Sequence, residues 1–163
     1  MSKLFSTICV LFFVMSTQAF AGSGHQETSF TLPVNERRVC QWIEEHADAI
    51  TKATGAEIVR KKGDRAHLIV RDDDGRTFDF VVSREKNAAG NQFDEELTKV
   101  VSGQLTAQAT HVGVDAVPNG CMVHVRMSAE VEGVSGPKLA VGLRRKVRAI
   151  RAMIEGAFGK SDR

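Results

Sequence analysis

The chain has 163 residues, with 22 Lys and Arg against 20 Asp and Glu and a formal charge of +2. That near-balance gives no global attraction to nucleic acid or acidic lipid, and the length suits one domain with a sizeable core. Paired CxxC, H-E-x-x-H, Gly-x-Ser-x-Gly and P-loop patterns are all missing, which removes the commonest metal, acyl-transfer and nucleotide sites.

Residues 1–21 read as an export signal. Lys3 precedes an apolar stretch from Leu4 to Met15, and Ala19-Phe20-Ala21 offers a small-x-small cleavage pattern. The stretch is too short to span a bilayer comfortably, and no later apolar run is longer. The expected product starts near Gly22, in the periplasm or outside the cell, with residues 22–28 as a flexible leader and 29–160 as one folded unit. Cys9 leaves with the signal, so Cys40 and Cys121 remain. An oxidising compartment permits them to pair, and two separate half-buried thiols are the plainer reading.

Ser29 to Val34 is predicted as a short strand that Pro33 ends or places at an edge. Asn35 can cap a helical region whose apolar positions are Val39, Ile43, Ala47 and Ile50, broken near His46 and closed by Gly55. From Ala56 the apolar period falls to two. Strands over 56–61, 65–72 and 76–85 turn at Lys62-Gly63-Asp64 and at Asp73-Asp74-Gly75. The second turn sets Val70 against Phe78, Leu68 against Phe80 and Ala66 against Val82, all apolar pairs. Asp72 to Gly75 lacks the alternating ligand spacing of a calcium loop and reads as a hairpin tip.

After a Gly/Asn-rich loop over 86–92, strands over 93–101 and 104–116 meet at Ser102-Gly103. A strand over 121–132 returns through Val117 to Gly120. A two-residue turn at Ser102-Gly103 pairs Lys99 with Thr106, Leu97 with Gln108, Glu95 with Thr110 and Phe93 with Val112. The next turn pairs Val112 with Val125, Thr110 with Met127 and Gln108 with Ala129.

The last helix, Pro137 to Phe158, follows Ser135-Gly136, which supplies its cap. Leu139, Leu143, Val147, Ile150, Ile154 and Phe158 make one apolar stripe, with Arg144, Arg148, Arg151 and Glu155 opposite. The face carrying Val123, Val125, Met127, Ala129 and Val131 is the natural one for it to cover. Glu95, Gln108, Thr110, Thr106 and, at the far end, Lys99 then share that covered face. Polar groups buried there without partners cost a few kcal/mol each, so a hollow is expected beneath the helix. A bulge that turns these residues outward is the alternative.

Asp94, His111 and Arg126 fall in one row on the opposite, solvated face. Lys146 sits at about 340° on the wheel, inside the stripe. It either snorkels to the rim or faces the hollow, partnering Glu95 or a ligand carboxylate. His46, His67, His111 and His124 lack metal-ligand spacing, so no metal or cofactor is expected. The run Lys138, Arg144, Arg145, Lys146, Arg148 and Arg151 lacks interleaved aromatics. It reads as a solvated face with weak membrane-surface contact as a second use, and nucleic acid is not an expected partner.

The order strand, helical region, six antiparallel strands and long C-terminal helix resembles the helix-grip fold of the SRPBCC superfamily. The segments that carry the likeness are TAQATHVGVDAVPNGCMVHVRMSAEVEG and SGPKLAVGLRRKVRAIRAMIEGAF. That superfamily includes START lipid-transfer domains, polyketide cyclase/dehydrase-like proteins and the plant pollen-allergen family. The resemblance implies an α+β fold, with a curved antiparallel sheet of about seven strands wrapped on the C-terminal helix. It also implies one or two short helices after the first strand and a cavity for lipids or other apolar molecules. No catalytic residue is carried over.

The expected function is therefore an exported, non-catalytic carrier of a small apolar or amphipathic, lipid-like molecule. Its expected lining is Phe80, Val112, Val125, Met127, Leu143, Val147 and Ile150, with Glu95, Gln108, Thr110 and Lys146 as polar anchors. The alternatives are a cyclase- or hydrolase-like enzyme using Glu95 as a general base, and an interaction module for a membrane surface or a partner.

Overall fold

The structure is a computed structural model, and it describes residues 21–159. Of the expected export signal over 1–21, residues 1–20 lie outside the described residues, and Ala21 opens the first strand. In chain order the elements are β1 (Ala21–Leu32), α1 (Glu36–Glu45), α2 (Ala47–Ala53), β2 (Ala56–Lys62), β3 (Arg65–Arg71), β4 (Thr77–Lys86), β5 (Gln92–Ser102), β6 (Leu105–Val117), β7 (Gly120–Glu132) and α3 (Gly136–Phe158). The strands form one antiparallel sheet in the order β1-β7-β6-β5-β4-β3-β2. This is the α+β helix-grip architecture: a curved seven-stranded sheet against a long C-terminal helix, with two short helices after the first strand. Among the described residues no helix is long and apolar enough to cross a membrane.

Local chemistry explains most boundaries. Asn35 Oδ1 accepts the Arg37 N–H at 2.9 Å and opens α1. That helix ends at His46, whose backbone leaves helical angles (φ −111°, ψ 16°) and whose ring bonds the Trp42 carbonyl at 2.8 Å and stacks on the Trp42 ring. The β3–β4 tip is held by the Asp72 carboxylate, which accepts the N–H groups of Asp74 and Arg76, while Gly75 takes φ +79°. Val70–Phe78, Leu68–Phe80 and Ala66–Val82 are paired as the turn length requires. So are Val112–Val125, Thr110–Met127 and Gln108–Ala129.

Residues 22–28 are not a flexible leader. They are the first half of β1, which pairs with β7 from Ala21–Glu132 to Leu32–Cys121. Without β1, β7 would present a long open edge. The glycines that blurred the sequence pattern have a packing reason: a Cβ at Gly22 would lie 1.7 Å from the Val134 carbonyl oxygen, and one at Gly24 would lie 2.8 Å from Leu139 Cβ. Only bare backbone lets the start of α3 come this close.

The second departure is between β5 and β6. Phe93–Val112, Asp94–His111, Glu95–Thr110 and Glu96–Ala109 pair as expected, but among the described residues no rung follows toward Ser102-Gly103. The far half of β5 stays with β4, with register shifts that leave Thr98 and Val101 as extra residues. The start of β6 stays with β7 and bulges at Thr106. The bulged threonines bond backward to neighbouring strands, Thr98 Oγ1 to the Val81 carbonyl and Thr106 Oγ1 to the Glu130 carbonyl, each at 3.1 Å. Each bulge shifts the alternation by one residue. Lys99 therefore pairs with Val81, and Thr106 is exposed, so neither shares the covered face as the sequence had implied.

Helix α3 buries Leu143, Val147, Ile150 and Ile154, with Leu139 and Phe158 half-buried along the same stripe. Its start differs in one detail: the Ser135 carbonyl accepts the Leu139 N–H at 3.1 Å, but the Ser135 hydroxyl makes no capping bond. The apolar interior has two parts. One gathers α1, α2 and the C-terminal half of α3 over β6 and β7; the other gathers β3 and β4 with Leu105, Val131 and Val134. Cys40 and Cys121 are free thiols buried in the first. Burial above all, then the charges of Glu36 and Cys121, pushes the Cys40 thiol up to about 11.

Candidate functional site

Between these two parts lies a cavity of about 830 Å³, roofed by α2 and α3 and floored by the sheet. Phe80, Glu95, Gln108, Thr110, Val112, Met127, Leu143, Lys146 and Ile150 all line it. Val125 and Val147 do not. They are 0% and 3% exposed and sit in the close-packed cluster with Val39, Ile43 and Ile154. They face the expected side, but α1 and α3 meet the sheet directly there and leave no space.

The polar end of the cavity is built around Arg84, which the sequence reading missed. Phe78, Phe80 and Val82 alternate inward along β4, and Arg84 continues that alternation opposite Glu95. Its Nε donates to Glu95 Oε2 at 3.0 Å, Nη1 to Asp48 Oδ1 at 2.6 Å and Nη2 to Thr51 Oγ1 at 2.8 Å. Thr51 in turn donates to Glu95 Oε2 at 3.2 Å, and Lys61 bonds Asp48. Burial opposes the Arg84 charge, but Asp48 and Glu95 together hold its pKa above the usual value. Chiefly the Lys61 hydrogen bond, against burial and with help from Arg84, holds the Asp48 carboxyl below the ordinary range.

Glu95 is thus one member of an ion-pair network, not an isolated carboxyl in an apolar hollow. On the neighbouring strand, Gln108 Nε2 donates to Thr110 Oγ1 at 3.1 Å, while Gln108 Oε1 is buried with no partner among the described residues. Lys146 neither snorkels freely nor reaches Glu95. It is half-buried, and its ammonium donates to the Thr54 carbonyl just past α2. Burial first, then the charge of Arg145, lowers its pKa.

The rim is closed by ion pairs between the β3–β4 tip and α3. Asp73 meets Arg145 and Asp74 meets Lys138, while Asp72 holds Arg76 at 2.7 Å. Opposite them, Lys86 bonds Glu44 at 2.7 Å. These contacts occupy part of the basic run on α3, and Arg151 adds Glu155 at 2.9 Å and a cation–π contact over Phe30. On the outer face of the sheet, Asp94 and His111 bond at 2.6 Å beside Arg126, the row that the registers placed there.

No family model and no curated protein matches the chain. Solved structures do. A START superfamily protein from Mycobacterium smegmatis superposes with a TM-score of 0.62 at 14% identity, over 83% of this chain and 97% of its own. The crystal structure of Ara h 8.0201 gives 0.58 at 16%, over 86% and 100%. The Zhui aromatase/cyclase from Streptomyces sp. R1128 gives 0.51 at 13%, over 82% and 94%. At such identities the likeness establishes the fold, and that fold is the helix grip.

Proposed function

We propose that this chain is an exported, non-catalytic binding protein that holds one small apolar or amphipathic, lipid-like molecule between its sheet and α3. The observation that carries the reading is the 830 Å³ cavity with its largely aliphatic and aromatic wall. That volume is typical of small-molecule sites. Water that enters it finds few partners on Phe80, Val112, Met127, Leu143 and Ile150, so an apolar guest that displaces this water is favoured. Gln108 and Thr110 give the wall a small polar patch that can orient a guest.

A cyclase- or hydrolase-like role for Glu95 has less support, because Arg84 and Thr51 already occupy one of its oxygens. Membrane-surface contact through α3 is likewise weakened by the ion pairs of Lys138 and Arg145. Native mass spectrometry of protein purified from its own source tests the carrier reading. A bound species of a few hundred daltons, retained in the Glu95→Gln variant and lost on denaturation, is expected. Protein that is empty in every preparation, and takes up no added apolar molecule, would overturn it.

A further inference from the structure

Charge matching within the cavity points to the chemistry of the guest. Of the lining carboxylates, Glu44, Asp72, Asp73, Asp74 and Glu95 are taken by arginines or lysines of the wall and rim, and Asp94 bonds His111. Glu85 has no ion-pair partner among the described residues, but it is exposed to water. Lys146 is the reverse case. It lines the cavity half-buried, and among the described residues no carboxylate lies within ion-pair reach of it. Among the described residues its ammonium bonds the Thr54 carbonyl alone, and an ammonium has three donors.

The wall is also bare beside it. Gly142, one helical turn earlier on α3, lines the same cavity, and nothing apart from its chain neighbours and the helix's own backbone stands within 4 Å of where its Cβ would be. The charge of Asp73 reaches Lys146 only at longer range, because Arg145 holds that carboxylate, so a half-buried cation with spare donors and open space next to it has no anion in contact. Away from bulk water such a pair is screened less than at the surface, and its hydrogen bonds are of the strong, charge-assisted kind.

We propose that the guest is an apolar monocarboxylic acid whose carboxylate is received by Lys146 Nζ beside Gly142, with its hydrocarbon part running along Met127 and Ile150. The proposal rests on the carrier reading above and goes beyond it by fixing the head group. No bond is made or broken; the acid binds as its carboxylate.

The test is isothermal titration calorimetry of the folded protein at pH 7 with straight-chain acids of eight to sixteen carbons and with the alcohols of equal length. The wild type is expected to bind the best acid at least about tenfold more tightly than its alcohol, the increment of one charge-assisted contact. Lys146→Met should weaken the acid by that factor and leave the alcohol within about twofold, since the apolar contacts remain. Lys146→Arg, which keeps the charge, should retain the preference for the acid. Equal binding of acid and alcohol by the wild type, or an unchanged acid affinity in Lys146→Met that is shown by circular dichroism to be folded, overturns the head-group assignment and leaves the carrier standing. Binding of neither series also overturns the head-group assignment, while the carrier reading is decided by the native mass spectrometry above.

Discussion

Arg84 decides the electrostatics of the cavity, because two carboxylates from different parts of the chain depend on it. Its side chain is 21% exposed and that of Glu95 15%, whereas that of Asp48 is 38% exposed and keeps Lys61 as a second partner. Replacing Arg84 with Met therefore leaves Glu95 as the main stranded group. Urea unfolding of Arg84→Met should show a loss of about 1–3 kcal/mol, toward the lower end because water still reaches Asp48. Adding Glu95→Gln should recover part of that loss, since the stranded charge is removed; an unchanged midpoint in the single variant would count against the pairing. Glu95, Gln108 and Thr110 could be placed inward from turn lengths alone, because strand alternation carries a register several residues from its turn. Arg84 was missed because a charge after Phe78, Phe80 and Val82 looks like a strand leaving the core, and its acidic partner on α2 is 36 positions away in sequence. Val125 and Val147 show the converse limit. Periodicity tells which side a residue faces, not whether the element opposite touches it.

Among the elements, β1 carries the largest gap between sequence and structure. Its alternation is hidden by Gly22 and Gly24, residues that usually signal a loop and here mark where α3 lies against bare backbone. Gly24→Val would press two methyl groups into the Leu139 and Leu143 side chains. A loss of about 1–3 kcal/mol is expected from overpacking, measured as a lower thermal midpoint, whereas Gly142→Ala on the open side of α3 should cost nothing comparable. Equal effects of the two substitutions would contradict the close approach. The hairpins β3–β4 and β6–β7 were legible because glycine or Asn-Gly turns fix their lengths and apolar pairs confirm the register. The opening between β5 and β6 was not. It follows from extra residues at Thr98, Val101 and Thr106, and a bulge has no compositional mark of its own.

For the molecule as a whole, three paired aspartates share one sign of response to pH. Asp48, Asp73 and Asp74 all have depressed pKa values, each chiefly through a hydrogen bond from a basic side chain: Lys61, Arg145 and Lys138 respectively. A carboxylate whose folded pKa lies below its unfolded value of about 3.9 stabilises the fold fully above that value and loses the contribution as pH falls through the folded one. The thermal midpoint should therefore decline as pH is lowered from about 5 toward 3, and less steeply in high salt, which screens the exposed pairs at the tip. A level midpoint across that range would mean these pairs contribute nothing. The order of strands and helices was legible because short turns leave an antiparallel chain little choice of neighbours, whereas the pairs between hairpin tip and helix join residues some 70 positions apart and left no local trace. The seam where β5 and β6 part has a mechanical consequence. With no rung to break along its far half among the described residues, bending there costs no ladder hydrogen bond, so on the proposed carrier reading a stouter guest would be admitted without any unzipping of the wall.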